Sequence, residues 1–235
     1  MWIYMCMKSG CRMSGEDFAH SIITIKSSDF IVKRKNRCPK KDRVKRQMEY
    51  FDVVDKNGQP TGEMVSRDEA HQKGLPHRTS HVWIVRSSEH GYEILLQKRS
   101  EEKDSFPGLY DTSSAGHIPA GDEPLPSALR ELREELGIEA APGQLNFIGT
   151  FRIQYERAFH GRLFRDNEFA NVYLYDGPIG EMKLQESEVS EVRWFDLEAV
   201  WNEIQNSRER FCVPKPGLAV LRDYLKENNL HPGRD

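Results

Sequence analysis

The sequence predicts an α+β fold, a mixed β-sheet flanked by helices. Three observations carry this: β-rich runs recur along 51–195, helices punctuate them without a regular βαβ alternation, and one strongly amphipathic helix is framed by explicit start and stop signals over 125–136. In order, 51–54 reads as a short strand that turns through Asp55-Lys56-Asn57-Gly58 into a second at 61–64. Asp68 to His71 starts a helical turn that Gly74 ends. The runs 81–85 and 93–99 form a hairpin, 105–108 is a loop, and 110–114 is extended again. The helix over 125–136 has Asp122 or Glu123 at its start, Pro124 and Pro126 in its opening turn and Gly137 at its end. Strands follow at 147–155, 168–175 and 189–195, with helices at 197–204 and 218–228.

Charge divides the chain of 235 residues. Of its 34 Lys and Arg and 37 Asp and Glu, 12 and 4 lie in 1–47, which leaves 22 and 33 for 48–235. The first segment, with nine basic residues between Lys33 and Arg46, reads as a basic, disordered extension. Met48 opens the alternating pattern of the first strand, so translation is expected to start there and 1–47 to carry no function. The basic run has no interleaved aromatic residues for base stacking, so nucleic acid is not an expected partner. Cys6, Cys11, Cys38 and His20 lack the paired spacing of a structural zinc site. The body 48–235 holds Cys212 as its lone cysteine, which excludes a disulfide framework and suggests the cytoplasm. No run approaches the roughly 20 apolar residues that span a membrane.

The chemistry concentrates on the helix 125–136. Leu125, Ala128, Leu129, Leu132 and Leu136 form its apolar face, and Arg130, Glu131, Glu134 and Glu135 take the other. Glu131 and Glu135 are one turn apart, and Arg130 stands four residues before Glu134, close enough to orient it. Carboxylates so clustered repel and raise each other's pKa, a conflict that a divalent cation with oxygen preferences resolves. The loop 116–121, bounded by glycines, leads from a strand into this helix, where its carbonyls suit a metal and its amides a diphosphate.

Gly116, Asp122 and the run Arg130-Glu131-Leu132-Arg133-Glu134-Glu135-Leu136-Gly137-Ile138 resemble the Nudix box, GX5EX7REUXEEXGU. They match it at every fixed position except the first glutamate, which is Asp122 here. The resemblance implies a Nudix α/β/α sandwich and Mg²⁺- or Mn²⁺-dependent cleavage of a small-molecule diphosphate. By it, Glu131, Glu134, Glu135 and the Gly116 carbonyl hold the metal, and Arg130 orients a glutamate. Related folds often dimerise, so the resemblance also allows a homodimer.

Beyond the box, Asn57 to Gly62, Gly74 to Arg78, Leu96 to Ser100, Ser114 to His117 and Asp166 to Glu168 resemble type I isopentenyl-diphosphate isomerase. In that branch, histidines and a Glu-x-Glu element hold a metal, and His71, His77, His117, Asp166 and Glu168 are the matching residues here. The cysteine essential to the isomerase falls at Ala115, while the box, degraded in the isomerase, is intact. Both departures favour hydrolysis by water attack at phosphorus over protonation of an alkene.

The general base is expected at Glu134 or Glu168. His117 is a candidate phosphate contact, as is one of Lys98 and Arg99, whose side chains must point to opposite sides of a strand. Trp83, Phe106 and Tyr110 are candidates to stack on a base, with burial in the core the more ordinary fate of strand aromatics. Substrate choice is assigned to the stretches 155–165 and 206–217.

Overall fold

The computed structural model describes residues 48–89, 91–207 and 209–228, so the expectations for 1–47 lie outside the described residues. An antiparallel pair comes first, β1 (Tyr50–Val54) and β2 (Pro60–Ser66). Its turn is held by Asp55, whose Oδ1 accepts the amides of Asn57 (2.8 Å) and Gln59 (2.9 Å). Helix α1 (Arg67–Lys73) follows, capped by the Ser66 hydroxyl at one end and by left-handed Gly74 at the other. Phe51, Val53, Val65 and Ala70 make a small core between these elements.

The main sheet has seven strands: β3 (His77–Ser88), β4 (Gly91–Arg99), β5 (Tyr110–Asp111), β6 (Ser114–His117), β7 (Leu145–Phe159), β8 (Arg162–Tyr175) and β9 (Val189–Asp196). The order is β5-β4-β3-β8-β7, with β6 also paired to β3 and β9 to β4. Most pairs are antiparallel, but β3 and β8 run parallel, His77 opposite Glu168 and Thr79 opposite Ala170. On the other side of β3, Thr79 is opposite His117 and His81 is opposite Ala115. Three adjacent strands therefore bring histidines and an acid to one end of the sheet.

Helix α2 (Pro124–Leu136) covers one face of the sheet, where Ala128, Leu132 and Leu136 pack on Val82, Ile84, Leu95 and Tyr173. Helices α3 (Leu197–Asn206) and α4 (Lys215–Glu227) cover the other, on Trp83, Phe151, Ala170 and Val172. This is the three-layered α+β architecture expected from the sequence. Trp83 and Tyr110 are core residues of the second face, so neither is available to stack on a ligand.

Three strands run well beyond the ranges that the sequence pattern suggests. Strand β3 starts at His77 rather than at 81, because its first residues pair with β8. Strands β7 and β8 continue through 155–165, expected as a loop, and turn at His160 and Gly161, both at positive φ as a two-residue hairpin requires. Exposed polar side chains on the outer face of this arm hide the strand period from a reading of hydropathy alone. Leu132 is fully buried at the centre of the α2 core. Leu132→Ala should lower unfolding stability by about 2–5 kcal/mol, read as a lower denaturation midpoint in urea.

Candidate functional site

The box residues and the loop before them meet where β6 runs beneath α2. Gly116 faces the helix, and a Cβ built on it would lie 2.1 Å from the Glu131 Cδ, so only glycine admits that carboxylate. Arg130 sits between its neighbours: Nη2 lies 2.8 Å from Glu131 Oε1 and donates to the His117 carbonyl at 3.1 Å, and Nη1 lies 3.3 Å from Glu134 Oε2. Glu134 is the most open of the three acids, its side chain 46% exposed.

Glu135 departs from the expected polar face and is buried. Its Oε2 accepts from the Ser114 hydroxyl (2.7 Å), the Ala115 amide (3.1 Å) and Gln97 Nε2 (3.2 Å). Burial, with the Glu131 charge adding to it, nevertheless pushes its pKa up to about 8. Burial also raises Glu131, against the pull of Arg130.

A second cluster lies at the same end of the sheet. One ligand atom from each of His71 on α1, His77 on β3, His117 on β6 and Glu168 on β8 falls within 4.8 Å of all the others. His117 Nε2 is 3.6 Å from Glu168 Oε1, and His71 Nε2 is 4.0 Å from Asp166 Oδ1. The Nδ1 atoms of His71 and His77 lie 2.9 Å from the Arg67 carbonyl and 2.8 Å from the Leu75 carbonyl. A carbonyl only accepts, so each Nδ1 carries the proton and each Nε2 presents a lone pair. The Nε2 atoms of all three histidines and Oδ1 of Asp166 are buried without a hydrogen-bond partner.

Such orphaned polar atoms are costly unless something binds them, and three imidazole nitrogens beside carboxylate oxygens are a donor set for a divalent transition metal. Burial drives the pKa of His71 down to about 4 and those of His77 and His117 below the ordinary value, leaving all three neutral, as metal ligands must be. Burial together with the Glu168 charge raises Asp166. Burial alone would raise Glu168, but His81, its Nε2 3.9 Å from Glu168 Oε2, leads the influences that hold it below its ordinary value. Thr79 Oγ1 donates to Glu168 Oε2 at 3.1 Å.

Aromatic rings wall this cluster. Phe51 stacks on His117 with centroids 4.5 Å apart and on His77 at 5.0 Å, and Phe164 stacks on His71 at 4.2 Å. Further out along the β7–β8 arm, Tyr155 and Phe159 meet Phe106 at 5.7 and 4.8 Å. Burial raises the Tyr155 hydroxyl well above its ordinary value, and the charge of Asp166 adds to this. Phe51 does not stand out in the sequence as a site residue, whereas Tyr155, Phe159 and Phe164 lie in the stretch 155–165 to which substrate choice is assigned.

The two cations at the end of β4 separate as strand alternation demands. Arg99 turns inward, its Nη1 3.3 Å from Asp111 Oδ2 and its Nε donating to the Ser105 carbonyl at 2.9 Å. Lys98 turns to the other face, its Nζ 6.0 Å from the Tyr110 ring, away from both acid clusters. Lys103, which the sequence pattern did not mark, carries the nearer charge: it pulls down the pKa values of Glu131, Glu135 and His117 alike and pairs with Glu188. Its place in an irregular loop left it without a periodic signal.

Comparison with known proteins fits this geometry. The chain is 43% identical over 158 residues to Nudix hydrolase 3 of Arabidopsis thaliana, an alignment covering 66% of this chain but 20% of that protein. It is 38% identical over 143 residues to a Nudix hydrolase of Clostridium acetobutylicum, covering 60% of this chain and 66% of the relative. To the isopentenyl-diphosphate Delta-isomerase of Dinoroseobacter shibae it is 32% identical over 166 residues, 70% of this chain and 86% of the isomerase. This chain thus spans only a fifth of the Arabidopsis relative's length. Among solved structures, DR0079 from Deinococcus radiodurans superposes with a TM-score of 0.53 at 19% identity, covering 74% of this chain and 98% of its own, a likeness of fold. The NUDIX domain family model matches residues 75–213, more than half of the sequence and both clusters apart from His71, and the chain belongs to that family.

Proposed function

We propose that the protein is a Mg²⁺- or Mn²⁺-dependent hydrolase of a diphosphate linkage in a nucleoside diphosphate or related organic diphosphate. The intact box carries this reading: Glu131 lies over Gly116, Arg130 links it to Glu134, and Glu135 is bonded to Ser114 and Ala115, with burial raising Glu131 and Glu135 above their ordinary pKa. Glu131, Glu134, Glu135 and the Gly116 carbonyl would hold the hard cation, and His71, His77, His117, Asp166 and Glu168 a second, softer one. Bound divalent cations supply positive charge to phosphate oxygens and make water a better nucleophile.

The chain's own groups do the rest. Arg130 fixes Glu131 and Glu134 and ties them to the His117 carbonyl. Glu134 is open to water and takes the proton of the attacking molecule; Glu168, buried and engaged by Thr79, is the poorer base. Arg99 and Lys103 supply charge for the diphosphate, and the organic group lies toward Phe106, Tyr155 and Phe159 on the β7–β8 arm.

The histidine cluster, and 32% identity to an isomerase, favour a second reading: isomerisation of a C5 diphosphate. Ala115 opposes it, because a methyl group neither gives nor takes a proton. Cys212 is no substitute. Its thiol donates to the Tyr110 carbonyl at 3.4 Å, and burial pushes its pKa up.

Incubating the full chain with Mg²⁺ and a panel of diphosphates, isopentenyl diphosphate included, and following ³¹P NMR separates the readings. New phosphomonoester or orthophosphate signals are expected. Conversion of isopentenyl to dimethylallyl diphosphate with the diphosphate intact would show isomerisation instead. Glu131→Gln should cut turnover by more than about 100-fold, beyond the usual loss from an outer-shell partner, with the circular dichroism spectrum unchanged.

The shifted groups also fix how stability depends on pH. Raised acids such as Glu135 bind more protons folded than unfolded, so without metal their contribution is lost as pH climbs from about 4.5 towards 8. Depressed histidines such as His71 bind fewer protons folded, so stability also falls as pH drops from about 6.5 towards 4. The metal-free chain should therefore melt highest between these limits. A divalent cation should raise the melting temperature more at pH 8 than at pH 5, as differential scanning fluorimetry would read.

A further inference from the structure

We propose that Asp52 is a positioning residue for the histidine cluster, acting through Arg78 and the backbone of Gly121 to hold in place the loop that presents His117. The inference goes beyond the chemistry above but rests on the reading of that cluster as a metal site. Asp52 and Arg78 form a nearly buried ion pair, Oδ2 to Nη2 at 3.0 Å, with side chains 12% and 10% exposed. The same Oδ2 accepts the Gly121 amide at 2.9 Å, and the same Nη2 donates to the Asp122 carbonyl at 2.9 Å. One anionic oxygen and one cationic nitrogen thus each grip a backbone group of a single loop.

That loop is also held by the Arg130 bond to the His117 carbonyl and by the buried Ile118 side chain. Past His117 it leaves the β6 ladder, and its further anchors are backbone bonds from Ile118 to the Arg78 carbonyl (3.0 Å) and from Ala120 to the Tyr50 carbonyl (2.8 Å). These two carbonyl partners lie on β1 and at Arg78, so the loop is registered against the strands that carry Phe51 and His77. Phe51, next to Asp52 on β1, stacks on both His77 and His117. Arg78 follows His77 directly. The ion pair consequently sets the spacing between two of the three histidines, although neither of its side chains enters the cluster.

Co²⁺ tests this, because its ligand-field absorption reports ligand number and geometry without turnover. The full chain and its Asp52→Ala, Asp52→Asn, His117→Ala and Leu221→Ala variants are titrated with Co²⁺ alone. Asp52→Ala should bind about 10–100-fold more weakly, the usual loss when an outer-shell partner goes, and its spectrum should move towards that of His117→Ala. Asp52→Asn, which keeps an acceptor for Gly121 but loses the charge, should move less in the same direction. Leu221→Ala, which loosens the core between α4 and the sheet, should leave the spectrum in place. If Asp52→Ala does not fold, Asp52→Asn decides. Wild-type affinity and spectrum in the folded Asp52 variants would overturn the proposal alone. Failure of the unmutated chain to bind Co²⁺ would overturn the metal-site reading and the proposal together.

Discussion

The close approach of β6 to α2 at Gly116 is the contact on which the rest of the site depends. Strand alternation sends Gly116 towards the helix and its neighbours Ala115 and His117 towards the other face of the sheet. Because Gly116 has no side chain, Glu131 lies directly over the strand instead of being held off it. One short strand then serves two acid clusters, with carboxylates gathered above it and an imidazole below. Arg130 fastens the two sides by bonding Glu131 and the His117 carbonyl at once.

Around that contact the protein tolerates an unusual load of buried, unpaired polarity. Three imidazole nitrogens and a carboxylate oxygen point inward with no hydrogen-bond partner, and Glu135 is sealed between α2 and β6. Each arrangement is unfavourable in a dry interior unless compensated. The compensation comes from the framework. Two apolar cores clamp the sheet between α2 on one side and α3 and α4 on the other, and neither core depends on the polar groups at the sheet's end. A rigid frame can hold ligand atoms at separations they would not choose for themselves.

How much of this was legible depended on whether a residue's partners are near in the chain. The helix 124–136 and its acids were readable because turn spacing, prolines at the start and glycine at the end all act within a few residues. Its polar face was misjudged only at Glu135, whose burial is decided by Ser114 and Gln97 on two other elements. Strand parity showed that Lys98 and Arg99 could not both serve, but not which would; the answer lies in Asp111 and Ser105. The histidine cluster came into view through family resemblance, since positions 71, 77, 117 and 168 share no period. Phe51, Asp52 and Lys103 gave no signal at all. Their meaning arises from contacts that exist only once the strands are assembled.

The parallel pairing of β3 with β8 also bears on the order in which the protein can be made. His71, His77 and His117 lie on neighbouring stretches of chain, yet Glu168 reaches Thr79 across 89 residues of sequence. Closing so long a loop is entropically slow, and parallel strands cannot zip from a shared turn. During synthesis the three histidines therefore emerge well before the carboxylate that completes their set. On the reading of that cluster as a metal site, the nascent chain would for that interval carry a nitrogen-rich half of the donor set, which the arrival of β8 would complete.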